Sequence, residues 1–122
     1  MFLMKYLNAY KENKIFYLNN FGKHVRDFTY IKDVINIMIN LKFKKNYDVF
    51  NICSNNPVTL SRVISLFKQN GITPKIKKRK FQLGDVVKTH GSNKKVFLNI
   101  KKFKITSFEL ALKKVIKWYN LK

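Results

Sequence analysis

Few residues in this chain have types and spacing that could do chemistry. Tyr10 and Lys14 stand four positions apart, and a lysine held beside a phenol favours the phenolate, a base that can take a proton from a hydroxyl. No other tyrosine has a lysine at that offset. Only nine residues precede Tyr10, which leaves no room for a cofactor fold upstream, so the pair is expected to be a coincidence of spacing and no catalytic residue is assigned. Gly22, Gly71, Gly84 and Gly91 are the only glycines, and they lack the repeat that brings backbone amides against a dinucleotide pyrophosphate. No cofactor-binding residue is assigned either. Cys53 is the single cysteine and has only His24 and His90 for company. These three make neither a disulfide framework nor a structural zinc site, no metal ligand is assigned, and a reducing, cytoplasmic setting is expected.

Charge is the other loud feature. The net charge of +20 would draw a nucleic acid or an acidic membrane surface, and Lys75, Lys77, Lys78, Arg79 and Lys80 form its densest cluster. Of the 26 basic residues, however, only Arg26, Arg62 and Arg79 are arginines, whereas sequence-reading surfaces lean on the guanidinium fork. The chain also holds 14 asparagines and 12 isoleucines, the bias that AT-rich codons produce. Codon drift explains the whole pattern, a polyanion partner only the lysines. A basic nucleic-acid or polyanion-binding protein is therefore the alternative function, and a non-functional gene remnant a third.

The elements that must position any site follow from periodicity. With 122 residues, 46% of them apolar, one compact unit with a core is expected, and no linker or repeat divides it. No stretch is long and apolar enough to span a membrane. Apolar spacing predicts a helix from Phe2 to about Tyr10, a strand over Lys14 to Leu18, and an extended segment from Phe28 to Ile31. A second helix is expected from Asp33, capped by its carboxylate, with Val34, Ile35, Met38 and Leu41 buried. DVFNIC, Asp48 to Cys53, reads as a buried strand. Thr59 caps a helix carrying Leu60, Val63, Ile64 and Phe67 that stops at Gly71. A further strand is expected over Ile76 to Phe81. Thr106 and Glu109 form a capping box for the last helix, which buries Leu110, Val115, Ile116 and Tyr119, with Trp118 in the core.

Four segments carry a family resemblance. GKHVRDFTYIKD, from Gly22 to Asp33, is similar to the G-K-x-x-R-D-F-T-Y-I-D-D stretch of extended short-chain dehydrogenases/reductases acting on nucleotide sugars. VFNICSNNPVTL, QLGDVVKT and TSFELALKKVIKWY follow in the family's order, and the branch they most resemble is UDP-glucuronate 4-epimerase. The resemblance implies an α/β fold, residues 1–122 forming a single partial domain. This would be the C-terminal substrate-binding portion of an extended Rossmann-type, NAD-dependent epimerase or dehydratase. It also implies that the N-terminal cofactor domain lies outside this chain, since Met1 aligns with the methionine after the family's R-P-D.

The resemblance assigns substrate contacts residue by residue. Arg26 would meet the phosphates of a UDP-sugar, as a fixed positive fork suits two anionic groups; its other reading is an ion pair with Asp27 or Asp33. Asp85 would accept from the ribose hydroxyls, and Gln82, which is Gln in the glucuronate branch and Arg in the galactose branch, would contact phosphate or sugar. Leu18 and Asn19 align with the segment whose backbone pairs with uracil. NAD belongs to the intact family, as does a homodimer, and a separately encoded cofactor-binding half is the implied partner. Cys53, Leu83, Ser92, Lys32 and Ala111 depart from the family's Gly, Pro, Asp, Asp and Gly, and none of these removes a proposed phosphate or ribose contact.

Overall fold

The computed structural model describes residues 2–42, 47–100 and 103–120. In chain order the elements are α1 (Phe2–Lys11), β1 (Phe16–Leu18), a 3-10 turn (Asn19–Gly22), β2 (Val25–Arg26), α2 (Ile31–Asn40), β3 (Val58–Thr59), α3 (Leu60–Gln69), β4 (Ile76–Lys78), α4 (Lys94–Phe97) and α5 (Phe108–Asn120). The fold is mixed α/β, as the sequence implies. β1 and β4 pair in parallel with Phe16 opposite Ile76 and Leu18 opposite Lys78. β2 and β3 pair antiparallel, Val25 opposite Thr59.

The main core lies where α1, α3 and α5 meet β1. α3 follows its sequence signals closely: Thr59 caps it by accepting from the Arg62 amide at 3.2 Å, its i, i+3, i+4, i+7 row of Leu60, Val63, Ile64 and Phe67 is buried, and Gly71 takes the left-handed φ of +77° just past its end. Tyr6 stacks on Phe67 with ring centroids 4.6 Å apart and meets Phe16 edge-on at 5.0 Å, the geometries aromatic quadrupoles prefer. α5 closes this core with Phe108, Leu112, Ile116 and Tyr119, and the Tyr119 hydroxyl donates to Asn8 Oδ1 at 2.8 Å.

Several expectations are overturned. α2 begins at Ile31, two residues before Asp33, so Asp33 is inside the helix and not its cap. Its buried carboxylate instead accepts the Thr106 amide and hydroxyl, each at 2.8 Å, two bonds that outweigh a solvent-facing cap. The same bonds dissolve the capping box: Thr106 is spent on Asp33, Ser107 accepts the Leu110 amide, and Glu109 pairs with Arg62 across 3.5 Å. α5 is therefore turned so that Leu110 is half exposed, Val115 only partly buried and Trp118 48% exposed.

α2 buries only Asp33 and Ile37. Of the face expected to be buried, Ile35 and Met38 lie open and Val34 and Leu41 are only partly buried, and Ile31 and Ile39 are exposed as well. DVFNIC forms no ladder among the described residues; Phe50 and Ile52 pack one way, onto the small cluster of Ile37, Val96 and Ile100, while Val49 is exposed. A buried parallel-type strand needs neighbours on its edges, and the strands present are engaged elsewhere. The segment expected to be extended from Phe28 ends at Tyr30, which is extended, because Ile31 already opens α2; the ladder lies just before it, at β2. The fourth strand stops at Lys78, three residues short of Phe81.

Candidate functional site

The parallel pair β1–β4 sets up the site, because both strands run out at the same end. There the chain turns through Asn20 and Phe21, which take left-handed φ values of 47° and 52°, a strain of roughly 1–2 kcal/mol per residue. Backbone bonds fix the turn to the chain after β4: Arg79 N donates to Leu18 O at 2.8 Å, Phe21 N to Arg79 O at 3.3 Å and Asn20 N to Lys80 O at 3.4 Å. Gly22 ends it with φ +81° and with Ser61 Oγ 2.6 Å from where a Cβ would stand. Strained backbone held by so many contacts is where binding sites are commonly built.

Opposite this turn, Gln82 to Asp85 closes a tight turn through an Asp85 N to Gln82 O bond of 3.1 Å, with Gly84 supplying φ +88° at its third position. The Asn19 side chain bridges the two turns. Its Nδ2 donates to Gln82 Oε1 at 2.6 Å and to Asp85 Oδ2 at 3.3 Å. Three of the five sequence-derived positions, Asn19, Gln82 and Asp85, are thus in contact.

Arg26, on β2, is tied to the segment that follows this second turn, which bridges Val25 at Lys88. Val25 N donates to Val87 O at 2.9 Å, and Arg26 Nη1 donates to the carbonyls of Val25 at 2.8 Å and Val87 at 3.2 Å. Those two bonds occupy Nη1 and leave Nη2 and Nε without an acceptor among the described residues. The ion-pair reading of Arg26 fails, because Asp33 is taken by Thr106 and Asp27 accepts Ser54 Oγ, the Asn55 amide at 3.1 Å and the Gly91 amide at 3.3 Å. Leu18 is buried and its carbonyl already accepts Arg79 N. Of the two residues aligned with the uracil segment, Asn19 alone turns polar atoms toward the others.

Tyr10 and Lys14 do not form a site. Lys14 lies beyond the end of α1 and pairs with Glu12 at 2.7 Å in the open, and that hydrogen bond and charge push its pKa up, so its charge is spent on Glu12. No cluster of three His, Cys, Asp or Glu able to hold a metal occurs among the described residues. Gly22 and Gly91 are closely packed against Ser61 and Cys53, Gly71 ends a helix where a pyrophosphate turn would begin one, and Gly84, though open, sits in a tight turn with no helix opening directly after it. Burial, then the Asp27 charge, raises the Cys53 thiol, so it is a weak nucleophile.

Sequence reasoning missed the role of Asp27. It was visible only as a neighbour of Arg26, yet it ties three segments together by gathering Ser54, Asn55 and Gly91 onto one carboxylate while its own amide donates to Thr89 Oγ1 at 3.1 Å. Its place within the R-D-F-T motif was the available signal. His24, almost fully buried with Nε2 unpaired among the described residues, was missed too; its ring backs Phe81 at 5.9 Å, next to Gln82.

With this geometry in hand, the likeness to known proteins is informative. No family model matches the chain. An uncharacterized protein of Methanocaldococcus jannaschii is 35% identical over 105 residues, 82% of this chain and 31% of that protein. Among solved structures, MoeE5 in complex with UDP-glucuronic acid and NAD superposes with a TM-score of 0.86 at 21% identity, over 99% of this chain and 42% of that one. UDP-glucuronic acid 4-epimerase from Bacillus cereus, in complex with UDP-glucuronic acid and NAD, gives 0.83 at 23%, over 99% and 40%. The fold is therefore the one found in part of the NAD-dependent nucleotide-sugar enzymes, a partial Rossmann-like α/β domain. The chain spans 31% of the curated relative's length and 42% of the first structure's.

Proposed function

We propose that this chain is the nucleotide-sugar-binding lobe of an NAD-dependent sugar epimerase or dehydratase, most like a UDP-glucuronate 4-epimerase, and that its own share of the reaction is to hold the UDP-sugar. The observation that carries the reading is the cluster Asn19, Gln82 and Asp85 beside an Arg26 whose guanidinium has no carboxylate partner among the described residues. A cation with unspent donors next to an acceptor carboxylate matches a nucleoside diphosphate, whose phosphates need donors and whose ribose hydroxyls need an acceptor. In this reading Arg26 and Gln82 face the diphosphate, Asp85 accepts the ribose hydroxyls, and the backbone at Leu18 and Asn19 meets the base. Oxidation and re-reduction of the sugar at C4 belongs to NAD, which these residues do not fit, so no step of that chemistry is assigned to them.

Titration with UDP tests the reading. Arg26→Ala should weaken binding by about 1.5–3 kcal/mol, the worth of a hydrogen bond to a charged group, while Lys78→Ala, on the exposed edge of β4, should change it little. Equal losses would mean that the general positive field attracts the ligand, and the polyanion alternative would then replace this reading.

The open apolar face of α2, with Ile31 62% and Ile39 76% exposed, supports the second half of the proposal: a cofactor-binding part, on the same or another polypeptide, packs there. Exposed aliphatic surface of this extent calls for a cover. Ile35→Glu should abolish co-purification with such a part and leave UDP binding intact. Unaltered co-purification would move the contact elsewhere.

A further inference from the structure

Resting on the nucleotide reading above, we infer that the side chain of Asn19 is a positioning residue that polarises the site, fixing which atoms of Gln82 and Asp85 face the ligand. The geometry is specific. Asn19 Nδ2 carries two hydrogens, and its two acceptors are Gln82 Oε1 at 2.6 Å and Asp85 Oδ2 at 3.3 Å. A glutamine amide has an acceptor end and a donor end; with Oε1 held by Asn19, the Nε2 end points away and is free to donate. A carboxylate offers two oxygens; with Oδ2 held, Oδ1 stays open as an acceptor. One neutral side chain therefore sorts its neighbours into a donor for the diphosphate and an acceptor for the ribose.

Without that bridge the two neighbours would satisfy each other. Gln82 and Asp85 lie at the ends of one tight turn, so the Gln82 amide could swing to donate to the Asp85 carboxylate, cancelling both functions before a ligand arrives. The bridge is itself held rigidly. Asn19 opens the 3-10 turn whose next two residues are in left-handed conformations and are pinned to Arg79 and Lys80, so its side chain starts from a fixed backbone. Preorganisation of this kind costs nothing at the moment of binding.

The test uses the full chain, UDP as probe, and two substitutions of opposite character. Asn19→Ala removes the bridge and should weaken UDP about tenfold, one hydrogen bond's worth of misorientation. Asn19→Asp is nearly isosteric, but an ionised carboxylate only accepts, so Gln82 must turn its donor inward and its oxygen toward the phosphates. That loss should reach about a hundredfold at neutral pH. The introduced carboxyl sits beside Asp85, a like charge that raises its pKa, and once protonated it donates again. Relative to wild type at the same pH, Asn19→Asp should therefore recover about tenfold on acidification while Asn19→Ala stays flat.

Gln82→Glu is the control in case the first two variants fold poorly. It keeps an acceptor for Asn19 and deletes the outward donor, and should match the Asn19→Asp loss without its acid recovery being required. In the unliganded protein, Asn19→Ala should also shift the Gln82 side-chain amide resonances. Equal losses for Asn19→Asp and Asn19→Ala at every pH, or unmoved Gln82 resonances, would overturn the positioning role alone. A wild-type chain that takes up no UDP would overturn the nucleotide reading and this role with it.

Discussion

The two sides of the molecule solve the burial problem differently. On one side α1, α3, α5 and β1 enclose Tyr6, Leu7, Val63, Phe67 and Leu112 almost completely, with aromatic stacking inside and a capped helix at the edge. On the other, α2, α4 and the DVFNIC segment gather only Ile37, Val96 and Ile100 into a small cluster and leave Ile31, Met38, Ile39, Val49 and Leu98 in the open. Both sides are rich in apolar residues, so composition does not distinguish them. What differs is whether a second layer is present to cover the face, and the candidate nucleotide site lies on strands anchored to the closed side. A binding site needs rigid support, whereas an uncovered face does not.

The sharpest way to break this comparison is to truncate one residue on each side. Phe67→Ala, in the enclosed core, should cost about 3–5 kcal/mol of stability, and Ile39→Ala, 76% exposed on α2, should stay within about 0.5 kcal/mol. Urea denaturation of the two variants decides it. Comparable losses would mean that α2 is already covered in solution.

A smaller effect is expected where the two sides are joined. Asp33 on α2 accepts both polar groups of Thr106, just before α5, so Asp33→Ala strands a half-buried amide and hydroxyl and should cost about 2–3 kcal/mol. Thr106→Val removes only the hydroxyl and should cost about 1 kcal/mol. If hydrogen exchange found α2 and α5 opening together in wild type but separately in Asp33→Ala, the joint would be established; identical exchange in both would remove it.

The smallest expected effect lies inside the closed core. The Tyr6 hydroxyl is buried without a hydrogen-bond partner among the described residues, and burial pushes its pKa from 10.0 to about 12. The unfolded chain then loses this proton at lower pH than the folded one, so stability holds below pH 10 and falls as pH rises from 10 toward about 12. Tyr6→Phe should flatten that fall and be neutral or slightly stabilising at pH 7, since it removes an unsatisfied buried hydroxyl. Thermal melts across alkaline pH give the answer; an unchanged slope in Tyr6→Phe would assign the fall to other groups.

How far each side was legible from the sequence follows the same division. α3 could be read residue by residue, because Thr59, the four-residue apolar row and Gly71 act through bonds within one helix. α2 could not. Its apolar period is plain in Val34, Ile35 and Met38, but period says which residues share a face and not whether anything covers that face. Trp118 failed for a related reason: a large ring at the end of an amphipathic helix suggests core, yet the helix's rotation was decided by Thr106 bonding Asp33 in place of capping α5.

The sequence by itself determined the α/β class, the strong helices and, through four ordered motifs, the residues on which the nucleotide proposal rests, because local propensity and motif spacing act along the chain. Only the tertiary structure decided that Asn19 would bridge Gln82 and Asp85, 63 and 66 positions away, that Asp27 and Asp33 would be spent on Ser54, Asn55, Gly91 and Thr106, and that Arg26 would consequently keep unspent donors. Hydrogen-bond partners this distant in sequence are chosen by packing: a parallel strand pair brings two turns to one edge, and which polar groups then face each other depends on backbone geometry that no local pattern encodes.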